Sequence, residues 1–497
     1  MGLAVRSDFQ PFHQVILANA VVQPEAPCVT DDTGRLNWRE FAQRVGQWSA
    51  WLAKNNLAKG HRVGLLMTNS ADHLAVVLAM SASGVVHLSL TLADSLEINR
   101  RLVESLGIAS IISDAIEEFP GCVVLDVGKN PPARDDPGFI PVGMCGPDDP
   151  WKIVLSSGST GHPKMILQTQ AMELGYHFRR PEPPSPNGLR FLQTVELRYT
   201  YGLRVCFSAL MVGGEVILTG PDASIGNLAD LLVKHRITRL ATTPFHALNL
   251  AKWFASRSSP PPHLEQVATS GSLATRFVQE ETRRHLCPSL INYYGTNEVG
   301  GLAVADASLL SKFPDSVGIP SPGVEIEIVR PDGTLADANE MGLLRARSPD
   351  FPKEYINNPQ ASARAFRDGW FYPGDLASRG ADGKLYLRGR ADDLMNVNGI
   401  KIAPIDIEMA LQSHPNVRQA IAFGIDHPVH QNYPCVAVTV VSAASQQDLL
   451  KYARAKLGRR APRLVMVLPE MPTLGVGKPD RKAIRQMALS LLAQRHP

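Results

Sequence analysis

The sequence predicts an α/β fold: a large N-terminal body of doubly wound α/β subdomains with a β-rich subdomain, then a small α+β C-terminal domain. Three observations predict it. Buried-strand runs alternate with helical stretches in two separate blocks of the chain. After about Ser316 the pattern turns to apolar/polar alternation broken by turn residues. From about Ala391 a last block of roughly 105 residues offers helix, strand, strand, helix and strand, enough for one small domain.

In chain order, RVGLLM and VVHLSL between residues 62 and 90 read as strands, with ADHLAVVLAMSA between them as a helix. ASIIS and CVVLDV add two short strands before residue 127. The alternation returns from Gly214 to Tyr294, where EVILTG, ITRLATT, LEQVATS and LINYYG are strands. NLADLLVKHR, PFHALNLAKWF and TRFVQEETRRHL are the helices between them. Such sheets take ligands at the carboxyl ends of their strands. VEIEIVRPDGTL and GADGKLYLRGR then read as hairpins turning at Asp332-Gly333 and Asp382-Gly383. The proline-rich patches Pro181–Pro186 and Pro260–Pro262 read as surface loops.

Length and composition set the outer limits. The 497 residues exceed one core and suggest two to four units at roughly 100–200 residues each. An apolar content of 44% excludes disorder, collagen and coiled coil as the main architecture. Fifty Lys and Arg face 47 acids, a net charge of +3, so bulk charge gives no footprint for nucleic acid. The six cysteines are far apart without C-x-x-C spacing, which points to reduced thiols in a cytoplasmic protein. MGLAVRSDFQPFHQ lacks the apolar run of a signal peptide. The longest uncharged stretch, Leu74 to Leu92, reads as a buried helix and strand and not a membrane span.

Four stretches carry chemistry. In KIVLSSGSTGHPKMI an apolar strand enters Ser156-Ser157-Gly158-Ser159-Thr160-Gly161, followed by Lys164. Small residues let backbone N–H groups approach an anion, hydroxyls add donors and lysine adds charge, which makes a phosphate-gripping loop. It does not fit the G-x-x-x-x-G-K-[ST] pattern, and a plain Ser/Gly linker is the bland alternative. In INYYGTNEVGG, Tyr294 could stack on a base and Glu298 could hold a magnesium ion bridging phosphates. In GWFYPGDLASRGADGKLYLRGR, Asp375 could accept from two ribose hydroxyls and Arg390 could meet phosphate; a hairpin with surface ion pairs is the alternative. In PTLGVGKPDRKAI, Lys478 sits in a glycine-rich loop, where a lone lysine is usually just solvated.

Taken together, and in this order, these motifs resemble the adenylate-forming superfamily of acyl- and aryl-CoA synthetases, peptide-synthetase adenylation domains and luciferases. The resemblance spans about Pro24 to about Arg485. It implies activation of a carboxylic acid with ATP and Mg²⁺ to an acyl-adenylate, then transfer to a thiol of CoA or phosphopantetheine. It places Ser156 through Lys164 on the β- and γ-phosphates, and Asn292, Tyr294, Gly271 and Ser272 around adenine, with Gly295, Thr296 and Asn297 completing the nucleotide motif. Glu298 would hold Mg²⁺, Asp375 the ribose, and Arg390 the ribose or phosphate. Lys478 would reach in from a mobile C-terminal domain (391–497) to the body (1–390), with Asp392 as hinge and Gly399 and Lys401 on the thiol-transfer face.

Departures from the family pattern are Asn297 for threonine, Met165 for glycine, Tyr199 for histidine and Leu343 for glutamate. They suggest an altered acyl pocket. Tyr199, Tyr201 and Phe245 would favour a compact or aromatic acid, with Gly300 leaving room at one wall. Arg198 and Arg204 could pair a second carboxylate, though arginine is usually exposed. No acid for an α-amine is evident in RYTYG. The leading expectation is an acid–thiol ligase acting on a small carboxylic acid with CoA. Its rival is a free-standing adenylation enzyme loading a separate carrier protein, and a regulatory pseudoenzyme is disfavoured by the intact charged residues. Neither nucleic acid nor membrane is expected as partner, and the protein is expected to be a monomer or homodimer.

Overall fold

The structure, a computed structural model, describes residues 9–92, 94–156, 163–180, 185–220, 223–257, 263–397, 400–427, 431–473 and 479–495. Within them, strand and helix alternate as the sequence predicts. Arg62–Leu66, Ala71–Ser83 and Val86–Ser89 form strand, helix and strand. The helix is buried almost all round, because sheet covers one side and the helix Trp38–Lys54 the other. Trp38–Lys54 starts at a capping box: Asn37 accepts from the Glu40 amide at 2.8 Å and Glu40 accepts from the Asn37 amide at 2.8 Å. Its inward face carries Trp38, Phe41, Val45, Trp48 and Leu52 at helical spacing.

Four sheets are present among the described residues. The largest, of nine strands, runs in spatial order Ile319–Pro320, Gly300–Ala305, Leu290–Thr296, Gln266–Thr269, Arg239–Thr242, Arg190–Gln193, Glu215–Leu218, Pro27–Asp31, Gly34–Asn37. Its centre, from Leu290–Thr296 to Pro27–Asp31, is parallel, and antiparallel strands flank it on both sides. A second sheet orders Val123–Asp126, Ser110–Ser113, Arg62–Leu66, Val86–Ser89, Pro150–Ser156 and Lys164–Thr169, parallel except for the last pair. Helices cover both sheets, and Phe12, Trp151, Phe207 and their neighbours fill the main core between them.

The β-rich subdomain is antiparallel throughout, built on Glu325–Val329, Gly342–Arg347, Asp375–Arg379 and Leu385–Arg390. The predicted turn at Asp382-Gly383 joins the last two strands as a hairpin. The turn at Asp332-Gly333 closes a short hairpin, in which Val329 bridges Leu335 antiparallel and the Ala336 amide donates to the Ile328 carbonyl at 2.9 Å, while the longer ladder of Glu325–Val329 is with Gly342–Arg347. The terminal block has its own five-stranded sheet, and its core includes Ile407, Leu411, Val436 and Val465. To the expected elements it adds a short hairpin, Met395–Val397 with Ile400–Ile402, and the helix Arg481–Arg495. All six cysteines are unpaired. No described helix is long and apolar enough to cross a membrane.

Candidate active site

A cleft of about 960 Å³ opens where the carboxyl ends of the parallel strands of both large sheets meet the β-rich subdomain. Ser156 ends the strand Pro150–Ser156 and pairs in register with Lys164, so the two flanks of the predicted phosphate loop lie side by side. Both residues line the cleft. The Lys164 ammonium lies 5.1 Å from the centroid of the Tyr355 ring, and the Tyr355 hydroxyl donates to Glu298 at 3.0 Å. Burial and the Glu298 charge hold that hydroxyl far above its ordinary pKa, so it stays a donor. Thr296, which also lines the cleft, has its Oγ1 buried with no partner among the described residues.

Across the cleft, Asp375 and Arg390 face each other in the hairpin register, with an N–O separation of 3.5 Å. Asp375 follows Gly374, whose φ of +84° suits glycine; a Cβ there would sit 3.0 Å from Arg390 Nη2. The Tyr294 hydroxyl donates to Asp375 Oδ2 at 2.5 Å. Burial pushes the Asp375 carboxyl up, opposed by the Tyr294 bond and Arg390. Tyr294, Gly295, Thr296, Asn297, Glu298, Gly271 and Asp392 also line the cleft.

Several expectations are corrected. Asn292 is 1% exposed and points into the sheet, where its amide oxygen accepts from Thr269 at 3.0 Å; it does not line the cleft. Strand alternation explains this, because Asn292 and Tyr294 share one face and only the latter is near the strand end. Ser272 and Phe245 do not line it either, and Lys401 is exposed on its short strand. The Asn297 amide is taken by the Leu155 carbonyl at 3.0 Å. Gly300 lines the cleft as expected, but Tyr176 and Arg204 take up the space before it: at φ +79°, an added Cβ would lie 2.3 Å from Tyr176 Cδ2 and 3.1 Å from Arg204 Nη1. Ser157, Gly158, Ser159, Thr160, Gly161, Gly399 and Lys478 lie outside the described residues. Most residues of the two proline-rich patches do so too. No group of three or more metal-capable side chains occurs among the described residues.

The far end of the cleft holds a buried ion cluster of which the sequence had marked only Arg204. Glu173, fully buried, meets Lys152 at 2.8 Å, Arg204 at 3.0 Å and His177 at 3.5 Å. Burial alone would raise the Glu173 carboxyl, but Arg204, Lys152 and His177 hold it well below the usual range. Burial pulls Lys152 down to about 7, with Glu173 opposing and Arg204 assisting. Arg204 also donates to Gln168 at 2.9 Å, and Gln168 donates to the Glu298 carbonyl at 3.3 Å. Tyr176, Tyr201 and Tyr293 form an aromatic layer here, with the Arg180 guanidinium 3.9 Å from the Tyr293 centroid. Of these residues the sequence had marked Tyr201 for the acyl pocket and Arg204 as a candidate partner for a second carboxylate.

Residues 17–356 match the AMP-binding enzyme family, and residues 406–478 match the AMP-binding enzyme C-terminal domain. The chain belongs to the AMP-binding enzyme family. Among relatives of this AMP-binding enzyme, feruloyl-CoA synthase of Amycolatopsis sp is 26% identical over 489 residues, covering 94% of this chain and 97% of the relative. The medium/long-chain-fatty-acid–[acyl-carrier-protein] ligase of Mycobacterium tuberculosis is 25% identical over 525 residues, covering 95% and 94%. The structure of the amide bond synthetase McbA from Marinactinospora thermotolerans superposes with a TM-score of 0.85 at 22% identity, over 96% of this chain and 99% of that one. That likeness concerns the fold.

Proposed function

We propose that this AMP-binding enzyme activates a carboxylic acid with ATP and passes the acyl group to the thiol of CoA. One observation carries the reading: a single cleft gathers the flanks of the phosphate loop, Glu298 with Tyr355, and the Tyr294–Asp375–Arg390 cluster. In the first step a carboxylate oxygen attacks the α-phosphorus and the bond to pyrophosphate breaks. In the second the thiol sulfur attacks the acyl carbon and AMP leaves. Both steps concentrate negative charge, which fixed donors and cations must already face.

Ser156 and Lys164 would meet the outer phosphates, Asp375 the ribose hydroxyls, and Arg390 the ribose or α-phosphate. The donor set fits magnesium, since one cleft carboxylate and a cleft hydroxyl with no partner among the described residues are what an ion held mainly by phosphates requires. Glu298 and Thr296 would hold it, and it would neutralise phosphate charge. Lys478 is assigned to the adenylation step by its place in the family pattern, brought there by a C-terminal domain turning about Asp392. ATP–pyrophosphate exchange over a panel of acids tests the reading, and no exchange with any acid refutes it. Lys478→Ala is expected to abolish exchange while sparing thioester formation from supplied acyl-adenylate.

A carrier protein as acceptor is the second reading. The helix Gln446–Leu457 and the turn after it favour it, because they expose Lys451, Arg454, Lys456, Arg459 and Arg460 to an acidic partner. Exchange without CoA-ester formation, but with transfer to a phosphopantetheinylated carrier protein, would select it.

A further inference from the structure

We propose that the far end of the cleft is a subsite for a second carboxylate, so that the acid activated here is a compact dicarboxylate. This rests on the carboxylate-activating reading above and names its substrate class.

Three elements build the subsite: the strand Pro150–Ser156 supplies Lys152, the helix Gln170–Phe178 supplies Glu173, and the helix Thr200–Met211 supplies Arg204. Lys152 and Arg204 are 3% and 2% exposed, and both line the cleft. One carboxylate, Glu173, serves both cations. With Lys152 protonated the cluster carries an excess positive charge, and an apolar acyl group packed against it would leave that charge desolvated or drive the proton off, whereas a ligand carboxylate would keep it. A ligand carboxylate would balance the cluster and accept charge-assisted hydrogen bonds from donors already held in place. Arg180 reinforces the same wall, lining the cleft with its guanidinium over Tyr293 and one nitrogen 3.4 Å from the Tyr176 hydroxyl.

Size follows from the same residues. Tyr176 and Arg204 fill the space in front of Gly300, so the acyl group cannot extend past that glycine. The tyrosine layer suits a short or planar spacer between the two carboxylates. A substrate ammonium would meet cations on this wall, which sets the site against an amine at that end.

The test is ATP–pyrophosphate exchange by the full-length protein with matched pairs: butanoate against succinate, and benzoate against terephthalate. The expected result is a kcat/KM at least about tenfold higher for the diacid in one pair or both, the scale of one charged hydrogen bond. In Lys152→Met, which leaves Arg204 on Glu173, the diacid-to-monoacid ratio should fall about tenfold. If that variant does not fold, the wild-type comparison decides alone. Monoacids used as well as diacids in both pairs would overturn the subsite while leaving acid activation standing; the cluster would then only tie helices to sheet. Exchange with no acid at all would overturn both.

Discussion

Lys152 gives the sharpest physical test of the buried cluster, because its charge should be visible in stability. Its amine is held at about 7 in the folded protein, against 10.5 as the ordinary value, chiefly by burial. A lysine whose folded pKa is depressed contributes stability that grows as pH rises from the folded value toward the unfolded one. Between pH 7 and pH 9 the native state sheds this proton and the unfolded chain keeps it. At about 1.4 kcal/mol per unit, the gain across that window is about 2 kcal/mol. The groups facing the amine are His87, Glu173, His177 and Arg204, and none of them changes charge there: both histidines are neutral through burial and Glu173 stays ionised. Buried thiols such as Cys28, Cys206 and Cys435 act in the opposite direction near pH 9, since burial holds them protonated while unfolded thiols ionise. Comparison with Lys152→Met cancels that effect, because both proteins keep all the cysteines. Urea unfolding followed by tryptophan fluorescence is the assay, as all six tryptophans, from Trp38 to Trp370, precede residue 391 and report on the large body. The stability difference, wild type minus variant, should rise by about 2 kcal/mol from pH 7 to pH 9. A difference that moves by less than about 0.5 kcal/mol would refute the account of Lys152 as a desolvated, titrating amine.

Three further outcomes are expected. Asp375→Asn removes the charge that meets Arg390 and weakens acceptance from Tyr294, so the KM for ATP in exchange should rise about tenfold or more; an unchanged KM would remove Asp375 from the ribose site. Gly300→Ala forces a methyl to within 2.3 Å of the Tyr176 ring at a positive φ, and should cost about 2–4 kcal/mol in urea unfolding and raise the KM for the acid. Wild-type stability and KM in that variant would mean the acyl wall is looser than it looks. Acidification should also destabilise the body. Burial depresses His13 and His73 to about 4 and His87 to about 3, so their stability is present above the unfolded value near 6.5 and lost as pH falls below it. Going from pH 7.5 to pH 5 should cost about 6 kcal/mol in total, and equal urea midpoints at the two values would contradict the buried neutral histidines.

Much of the local structure was legible in the sequence. Strands such as RVGLLM and EVILTG are short apolar runs bounded by turn residues, and their parallel pairing follows from the helices between them. The flanks of the phosphate loop, Glu298, Asp375 and Arg390 were also legible, since each sits at a strand end or turn where such folds place ligands. Asn292 and Gly300 were misread because a motif gives a residue's position and not its side chain's surroundings. Asn292 shares its face with Tyr294 but lies two residues farther from the strand end, and the ring of Tyr176, over 120 positions earlier, fills the space before Gly300.

The sequence by itself therefore determined the alternating elements, the order of the motifs and the residue types available to grip a nucleotide. Only the tertiary structure decided which side chains share the far end of the cleft. Lys152, Glu173, Arg204 and Tyr293 come from four elements; Lys152 and Tyr293 stand in motifs read for the nucleotide, and Glu173 and Arg204 stand in none. Propensity and periodicity act over a few residues and set each element separately. The buried cluster of Glu173 with Lys152, Arg204 and His177 arises only when packing brings those elements within hydrogen-bonding distance and water is excluded between them.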